Sequence, residues 1–283
     1  MYSDRQSKHT KSFVRKSLLI HHSNQLILSK GSYLKKHSAQ LKEEGLLSLR
    51  PSRKINISPE LKAEFEEGKV LLFDKPVHWT SFDVVKKIRS AIRIKKVGHA
   101  GTLDPLASGL LIICTGKYTK KINDYMAQRK EYTGSFTLGA VTPTYDLESL
   151  PEQQKDISGI NEQMIRESTK QFVGEIDQFP PIYSALKQEG KPMYELARLG
   201  MDIELKPRRV TIDTFEITNI DLPRVEFKVV CSTGTYIRSL ANDFGLALNC
   251  GAYLSGLRRT AIGDFKVENA IGVDDFLDSI HQD

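Results

Sequence analysis

The amino-acid sequence predicts an α+β fold in which helices pack against a mixed central sheet. Apolar and alternating runs typical of strands occur along the chain, and segments with helical spacing lie between them at irregular intervals. The sequence lacks the regular strand–helix alternation of an all-parallel sheet, any internal repeat and the glycine fingerprint of a phosphate-binding loop. With 283 residues and 40% hydrophobic content, the chain is long enough for one large domain or two small ones.

Six segments are predicted to be strands. The continuously apolar run Leu110–Ile113 favours a buried strand, whereas Tyr132–Leu138 alternates with a period of two. Val210–Ile217 and Val225–Cys231 are expected to pair with each other. The remaining two strands are predicted at Val70–Phe73 and Tyr253–Leu257.

The helical pattern is clearest at Ser81–Ile92, where apolar residues fall on one face and Ser81 is predicted to cap the first turn. Further helices are predicted at Lys120–Ala127, Ile160–Phe172, Ile237–Leu248 and Val273–Ile280. Residues 178–200 begin with a proline pair, are rich in lysine and tyrosine, and are expected to form a surface excursion.

The net charge of +6 is unevenly distributed. Residues 1–58 carry twelve Lys or Arg against three acidic residues, so the remaining chain is slightly acidic. This basic segment is predicted to be a disordered extension, although a transit peptide and translation from upstream of the true start remain alternatives. Any phosphate contacts of the body are then expected from local clusters, at Arg93–Lys96, Lys206–Arg209 and Arg258-Arg259, each of which could equally be a solvated face.

Cysteine usage and hydropathy restrict the class of protein. Cys114, Cys231 and Cys250 lie far apart without paired spacing, which argues against a disulfide framework or a zinc site. No apolar run approaches the roughly 20 residues that a membrane helix needs. The sequence therefore predicts a protein of a reducing compartment with no membrane contact.

The segment Gly98–Gly109 contains the leading candidate for a functional site. Its glycines permit backbone conformations that bring a ligand close to the main chain, and Pro105 restricts the conformation of Asp104 before it. Because the apolar strand follows at once, Asp104 is expected at a strand edge. Asp-Pro pairs also occur in ordinary turns, so the spacing alone leaves a purely structural role open.

Several ordered motifs resemble those of the tRNA pseudouridine-55 synthases of the TruB type. The resemblance extends from about Val70 to about Arg259. The matching segments are Lys75-Pro76 with Thr80-Ser81 and Asp83-Val84-Val85, Gly98–Gly109, Lys130-Glu131-Tyr132, Pro181–Lys187 with Gly190-Lys191 and Tyr194-Glu195, Cys231–Ser239, and Leu257-Arg258-Arg259. The resemblance implies the pseudouridine-synthase fold, a mixed central sheet with flanking helices, and residues 178–200 as an RNA-contacting insertion.

The resemblance also implies an isomerase that converts uridine-55 in the T loop of tRNA to pseudouridine. Such a reaction needs a carboxylate but no redox cofactor and no metal. The family's catalytic nucleophile matches Asp104, and Arg238 is the cation expected to keep that carboxylate charged. Residues matching the family's substrate-binding and supporting positions are Lys75, His99, Tyr132, Tyr236 and Leu257. Among them, His99 is implied to fill the space that the flipped target base leaves, and Tyr132 to stack on that base.

Several features depart from the family pattern. His78 stands where the family often has glycine, and the stretch Gly139–Ser149 resembles a Thr-x-Thr-x-Asp-x-x-Gly motif with Pro143 inside it and Ser149 at its end. Only 24 residues follow Arg259, which is too few for the C-terminal RNA-binding domain of many members. The expected organisation is a basic extension at 1–58 and a catalytic domain at 59–283 that ends in a short helix at about 273–280.

Two other functions fit the same motifs. A non-catalytic protein that binds or folds tRNA could retain the scaffold, but it would not need Asp104, Tyr132 and Arg238 together. A guide-RNA-dependent relative from a ribonucleoprotein particle would be expected to carry the additional C-terminal domain. The preferred interpretation is a monomeric enzyme acting on the T-stem-loop of tRNA without an obligatory protein partner, in the bacterial cytoplasm, with organelle targeting by residues 1–58 as the alternative.

Overall fold

A computed structural model describes residues 55–184, 187–188, 191–193 and 205–281 of the chain. Its strands are β1 (Val70–Lys75), β2 (Val97–Ala100), β3 (Ala107–Thr115), β4 (Lys130–Leu138), β5 (Gly174–Gln178), β6 (Lys187–Gln188), β7 (Lys191–Pro192), β8 (Arg208–Asp221), β9 (Arg224–Cys231), β10 (Ala252–Ile262) and β11 (Phe265–Lys266). Its α-helices are α1 (Pro59–Glu67), α2 (Ser81–Ile92), α3 (Ile122–Ala127), α4 (Glu162–Thr169), α5 (Ile237–Ala247) and α6 (Val273–Ser279).

Nine of these strands form one sheet in the order β1-β3-β10-β4-β9-β8-β5, with β2 paired to β3 and β11 paired to β10. Strands β3 and β10 run parallel, and the other neighbours are antiparallel, so the sheet is mixed. This confirms the predicted fold class. The antiparallel pairing of β8 with β9 is also as the sequence predicts.

The chain divides into two compact units, and the sheet belongs to the unit formed by residues 54–181 and 206–283. The other unit includes residues 182–205, where the structure describes the two-residue hairpin β6–β7 and the buried Met193. Residues 185–186, 189–190 and 194–200 of the predicted RNA-contacting insertion at 178–200 lie outside the described residues, as does the extension up to residue 54.

The hydrophobic core of the sheet-bearing unit has two main parts. One lies between the sheet and helices α4 and α5, where Phe136 stacks on Phe227 with ring centroids 4.2 Å apart. The other packs α2 and α6 against β1 and β3, around Phe73 and Phe276. Ile57 joins this second part, so the chain is packed against the domain from just before α1.

Three local predictions need correction. Thr80, rather than Ser81, caps α2, because its hydroxyl accepts from the Asp83 N–H while the Asp83 carboxylate accepts from the Thr80 N–H. The predicted helix at Lys120–Ala127 is a 3₁₀ turn over Gly116–Lys121 followed by α3, and the one at Ile160–Phe172 shortens to α4 with a 3₁₀ turn. The sequence did not predict the short strands β2 and β5.

Within the described residues, no helix is both long enough and apolar enough to span a membrane.

Candidate active site

A cavity of about 190 Å³ lies where four segments of the chain come together. The loop after β1, the loop between β2 and β3, the segment after β4 and the middle of β10 each contribute to its wall. The lining residues are Val77, His78, Asp104, Leu106, Ala107, Asp146, Leu147 and the run Leu254–Leu257. The wall is mostly apolar and carries two carboxylates, which is typical of a site that binds an uncharged group beside a reactive acid.

The loop that carries Asp104 is fixed by hydrogen bonds from three sides. The Ser81 hydroxyl accepts from the Leu103 N–H at 2.8 Å and contacts the Leu103 carbonyl at 3.3 Å. The His78 N–H donates to the Pro105 carbonyl at 2.7 Å, and the Ala107 N–H donates to the Asp104 carbonyl at 3.1 Å. Ser81 therefore ties the loop to α2, and the Asp104 carboxylate has a defined position at the cavity.

Gly109 allows two strands of the sheet to approach each other closely. It adopts a φ of 102°, and a Cβ there would lie 2.3 Å from the Arg259 carbonyl oxygen. The absence of a side chain thus allows β3 and β10 to approach each other, which a substituted residue would prevent. At this position the backbone comes close to a neighbouring strand.

Arg238 lies beneath the cavity and contacts both carboxylates. Its Nε lies 3.0 Å from Oδ2 of Asp104 and 3.6 Å from Oδ2 of Asp146, and its Nη2 lies 3.3 Å from Oδ1 of Asp104. The Arg238 side chain is only 6% exposed, whereas that of Asp104 is 38% exposed. Although burial disfavours the guanidinium charge, Asp104 and then Asp146 raise the pKa of Arg238. The predicted ion pair between Arg238 and Asp104 is present.

Sequence reasoning did not single out Asp146, although it noted the motif that contains it. The Asp146 side chain is 5% exposed, and burial raises its pKa against the opposing effect of Arg238. Its Oδ1 accepts from the Thr144 hydroxyl at 2.6 Å and from the Glu148 N–H at 2.9 Å. The departure at Ser149 now has an explanation, because its hydroxyl lies 2.7 Å from the Thr144 hydroxyl and closes the same loop.

Lys75 lies behind the cavity wall. It is fully buried at the end of β1, and its Nζ donates to the Pro76 carbonyl at 2.9 Å and to the Trp79 carbonyl at 2.6 Å. Burial lowers the pKa of Lys75 to about 8, an effect that Asp104 opposes and Arg259 reinforces. Its contacts fix the conformation of the loop that carries Val77 and His78.

Arg259 is 1% exposed and cannot form the phosphate cluster considered from the sequence. Its Nε donates to the Leu110 carbonyl at 2.8 Å, and its Nη2 donates to the Gly101 carbonyl at 3.0 Å. Its guanidinium also interacts with the hydroxyl of Tyr132, whose strand pairs with β10 at this position. Tyr132 is itself 9% exposed, and burial raises the pKa of its hydroxyl.

The other predicted site residues take different positions. Leu257 lines the cavity and pairs with Ala107 of β3. Tyr236 precedes α5, where its backbone N–H donates to Gln178 Oε1 at 2.8 Å and its carbonyl accepts from Gln178 Nε2. His99 lies on β2, and its buried Nδ1 has no hydrogen-bond partner within the described part of the chain. Burial, reinforced by Arg259, lowers the pKa of His99 and favours the neutral imidazole.

The geometry therefore joins Asp104 and Leu257 at one cavity with Arg238 directly beneath. Lys75, His99, Tyr132 and Tyr236 lie outside its lining in this structure.

Comparison with family models gives two adjacent matches. Residues 89–237 match the model of the TruB family pseudouridylate synthase N-terminal domain, and residues 238–283 match that of the tRNA pseudouridylate synthase B C-terminal domain. The second match begins at Arg238 and includes β10, which pairs with β3 and β4 inside the sheet. This C-terminal match thus contributes a strand to the central sheet, and that strand pairs with β3, which follows the loop that carries Asp104.

Similar curated proteins have the name tRNA pseudouridine synthase B. The protein from Flavobacterium johnsoniae is 55% identical over 224 residues, which cover 77% of this chain and 98% of the relative. The protein from Phocaeicola vulgatus is 49% identical over the same length and is covered to 95%.

Two solved structures illustrate the similarity of the fold. The chain matches a structure of an H/ACA ribonucleoprotein bound to a substrate RNA containing 2′-deoxyuridine, at 29% identity and a TM-score of 0.58. It also matches a Cbf5-Nop10-Gar1 complex at 31% identity and a TM-score of 0.61. The matches cover 82% of this chain but only 60% and 61% of the solved chains.

Proposed function

Because this chain belongs to the TruB family of pseudouridylate synthases, we propose that it converts uridine-55 in the T loop of tRNA to pseudouridine, with Asp104 as the nucleophile. The observation that carries this proposal is the ion pair of Asp104 with Arg238 at the cavity. The Arg238 guanidinium, held by a helix of the core at 3.0 Å from the Asp104 carboxylate, fixes the position of that carboxylate at the cavity, as a nucleophile requires.

The isomerisation needs few participants. The bond between N1 of uracil and C1′ of ribose breaks, the base turns, and a bond forms between C5 and C1′, while C5 loses a proton and N1 gains one. No electrons are exchanged with another molecule, so one carboxylate and a cavity that retains the detached base suffice. Asp104 shares the cavity wall with apolar residues such as Leu257, which suits a flat, uncharged base.

The target uridine must leave the folded tRNA loop to reach Asp104. Extrusion of a base costs a few kcal/mol, which contacts with the protein must offset. In this proposal Leu257 and Tyr236 contact the flipped nucleotide, Tyr132 stacks on its base, and His99 fills the space that it leaves. The neutral imidazole of His99, with its unpartnered Nδ1, suits insertion among bases better than a charged side chain would.

Arg238 and Lys75 act through other groups. Arg238 is a positioning residue for Asp104, and Lys75 supports the cavity by holding the carbonyl groups of Pro76 and Trp79. All of these residues lie within the proposed catalytic domain of residues 59–283.

The test is incubation of the purified full chain with an unmodified tRNA transcript, followed by chemical mapping of pseudouridine. We expect one modified position, uridine-55, and no product from a transcript with cytidine there. Asp104→Asn keeps the shape of the side chain but removes its nucleophilic oxygen, so we expect no product and a tRNA dissociation constant within about threefold of the wild type. Asp264→Asn, at an exposed position between β10 and β11, is the matched control and should remain active.

Two outcomes would contradict this proposal separately. Repeated turnover by Asp104→Asn would exclude this residue as the nucleophile. Pseudouridine at another position only, or tight tRNA binding without any product, would overturn the substrate assignment and favour a binding or folding protein.

A further inference from the structure

His78 has a backbone conformation that histidine rarely adopts. Its φ is 70°, in the left-handed region where glycine is favoured because it has no Cβ. The conformation is held on both sides, since the His78 N–H donates to the Pro105 carbonyl at 2.7 Å and the buried Lys75 Nζ holds the carbonyls of Pro76 and Trp79. The fold thus retains a histidine where glycine would be less strained, and such strain is characteristic of functional sites.

The His78 side chain is available to a ligand. The residue is exposed and lines the cavity together with Asp104. Val77 and Leu147, which line the same cavity, are also exposed, so His78 shares the solvent-accessible part of the lining with apolar residues. An aromatic ring held by a rigid loop at the mouth of a cavity is a suitable surface for stacking another flat ring.

The charges of the cavity decide which part of an RNA would stack there. Asp104 and Asp146 both contribute to the wall, and each carries a carboxylate. Among the described residues the cavity lining contains no Lys or Arg, so a phosphate group at the mouth would have no cation there to pair with, whereas an uncharged base needs none. Proteins that read single-stranded RNA hold unstacked bases on aromatic rings, histidine among them.

We propose that the His78 ring is a stacking platform for an unpaired base of the substrate RNA adjacent to the nucleotide that enters the cavity. This proposal rests on the proposed function, because it takes RNA as the substrate. It explains why the loop is fixed so firmly, since a preformed platform loses less entropy on binding than a mobile side chain.

The decisive variant is His78→Gly, which removes the ring and relieves the backbone. We expect the thermal unfolding midpoint to stay equal or rise, while kcat/KM for tRNA falls about 5- to 100-fold, mainly through KM. The control is Gln153→Gly, at an exposed residue with a φ of 52° that does not line the cavity. It should relieve similar strain and leave both kinetic constants unchanged.

Two further variants separate stacking from hydrogen bonding. His78→Asn tolerates the left-handed backbone and keeps polar atoms but has no ring, so it should lose kcat/KM as His78→Gly does. His78→Phe keeps a ring without nitrogen atoms, so kcat/KM should remain within about threefold of the wild type after correction for the fraction of folded protein.

Rescue by asparagine but not by phenylalanine would overturn the stacking role, as would a His78→Gly variant with unchanged kcat/KM. Failure of the proposed function would look different, because the wild-type chain itself would then form no pseudouridine in tRNA.

Discussion

Two buried arginines lie near the same cavity, and their positive charges are stabilised by different kinds of group. Arg238 faces the carboxylates of Asp104 and Asp146, at 3.0 and 3.6 Å. Arg259 donates to the backbone carbonyls of Leu110 and Gly101, and no carboxylate lies within ion-pair distance of it among the residues that the structure describes. The first arginine therefore compensates acidic groups, whereas the second holds strands and a loop together.

The two arginines also change the pKa values of neighbouring side chains in different ways. Asp146 would be still harder to ionise without Arg238, which opposes the effect of burial on its pKa. Arg259 instead lowers the pKa values of Lys75 and His99, which burial already lowers. A buried cation paired with carboxylates preserves charge at the site, and one solvated by carbonyls favours neutral neighbours.

The largest effect is expected from Arg238→Met, which leaves two carboxylates without their cation. Breaking a buried pair in this way costs about 3–5 kcal/mol of unfolding free energy. We also expect kcat to fall by about a hundredfold or more, because Asp104 loses its positioning partner. Urea unfolding and single-turnover kinetics measure the two effects, and wild-type kcat in the variant would contradict the assigned role.

The stability deficit of Arg238→Met should depend on pH. Without the guanidinium, the folded-state pKa of Asp146 rises further above its ordinary value of 3.8. The folded state then binds more protons than the unfolded state as the pH increases from that value, so unfolding free energy is lost with rising pH. The deficit should be larger at about pH 7 than at about pH 4. Adding Asp146→Asn should reduce this pH dependence but not restore kcat.

Arg259→Met should affect stability more than chemistry. It removes two charge-assisted hydrogen bonds to carbonyl groups, which corresponds to about 2–4 kcal/mol of unfolding free energy, together with the interaction with the Tyr132 hydroxyl, but it leaves no carboxylate unpaired. The deficit should therefore vary little between about pH 4 and pH 5.5, unlike that of Arg238→Met.

Titration of the His99 imidazole by NMR gives a second measurement for Arg259→Met. The pKa of His99 should rise toward its ordinary value of 6.5, because one of the two causes that lower it is lost. An unchanged His99 titration would show that the field of Arg259 does not reach β2. A loss of kcat as large as that of Arg238→Met, with normal stability, would contradict the division of roles.

Local signals in the sequence predict the position of Asp104 well, but not those of the residues that pack against it. Asp104 lies between glycines and before a proline and a buried strand, so residue types alone place it at a strand edge. The pairing with Arg238 joins residues 134 positions apart and follows here from the family motif, not from periodicity. Asp146 was missed because its importance arises from burial beside Arg238, which no local pattern encodes.

The sequence itself contained a reason to reject Arg258-Arg259 as a joint phosphate-binding cluster. Consecutive residues of a strand point to opposite faces of the sheet, so two adjacent arginines in β10 cannot both face the same phosphate. The cap of α2 shows a similar limit, because Thr80 and Ser81 are both good capping residues. Their roles separate only in the fold, where Ser81 contacts Leu103 instead.

The smallest effect is expected from Arg258→Met, the neighbour of Arg259 on the other face of β10. Arg258 forms a two-pronged ion pair with Asp74 at 3.0 and 2.7 Å, but the side chains are 40% and 36% exposed. Exposed pairs contribute about 0–1 kcal/mol, so we expect an unfolding free energy within that range of the wild type. The His99 titration should not change, which makes this variant the control for Arg259→Met.

Arg258→Met also tests whether this arginine contacts RNA. Because its guanidinium is already paired with Asp74, we expect the dependence of tRNA affinity on salt concentration to match the wild type. Binding measured at several salt concentrations checks this. A slope of log affinity against log salt that becomes shallower by about one would show that Arg258 exchanges Asp74 for a phosphate. The two arginines would then differ not only in burial but also in whether their partners change when the substrate binds.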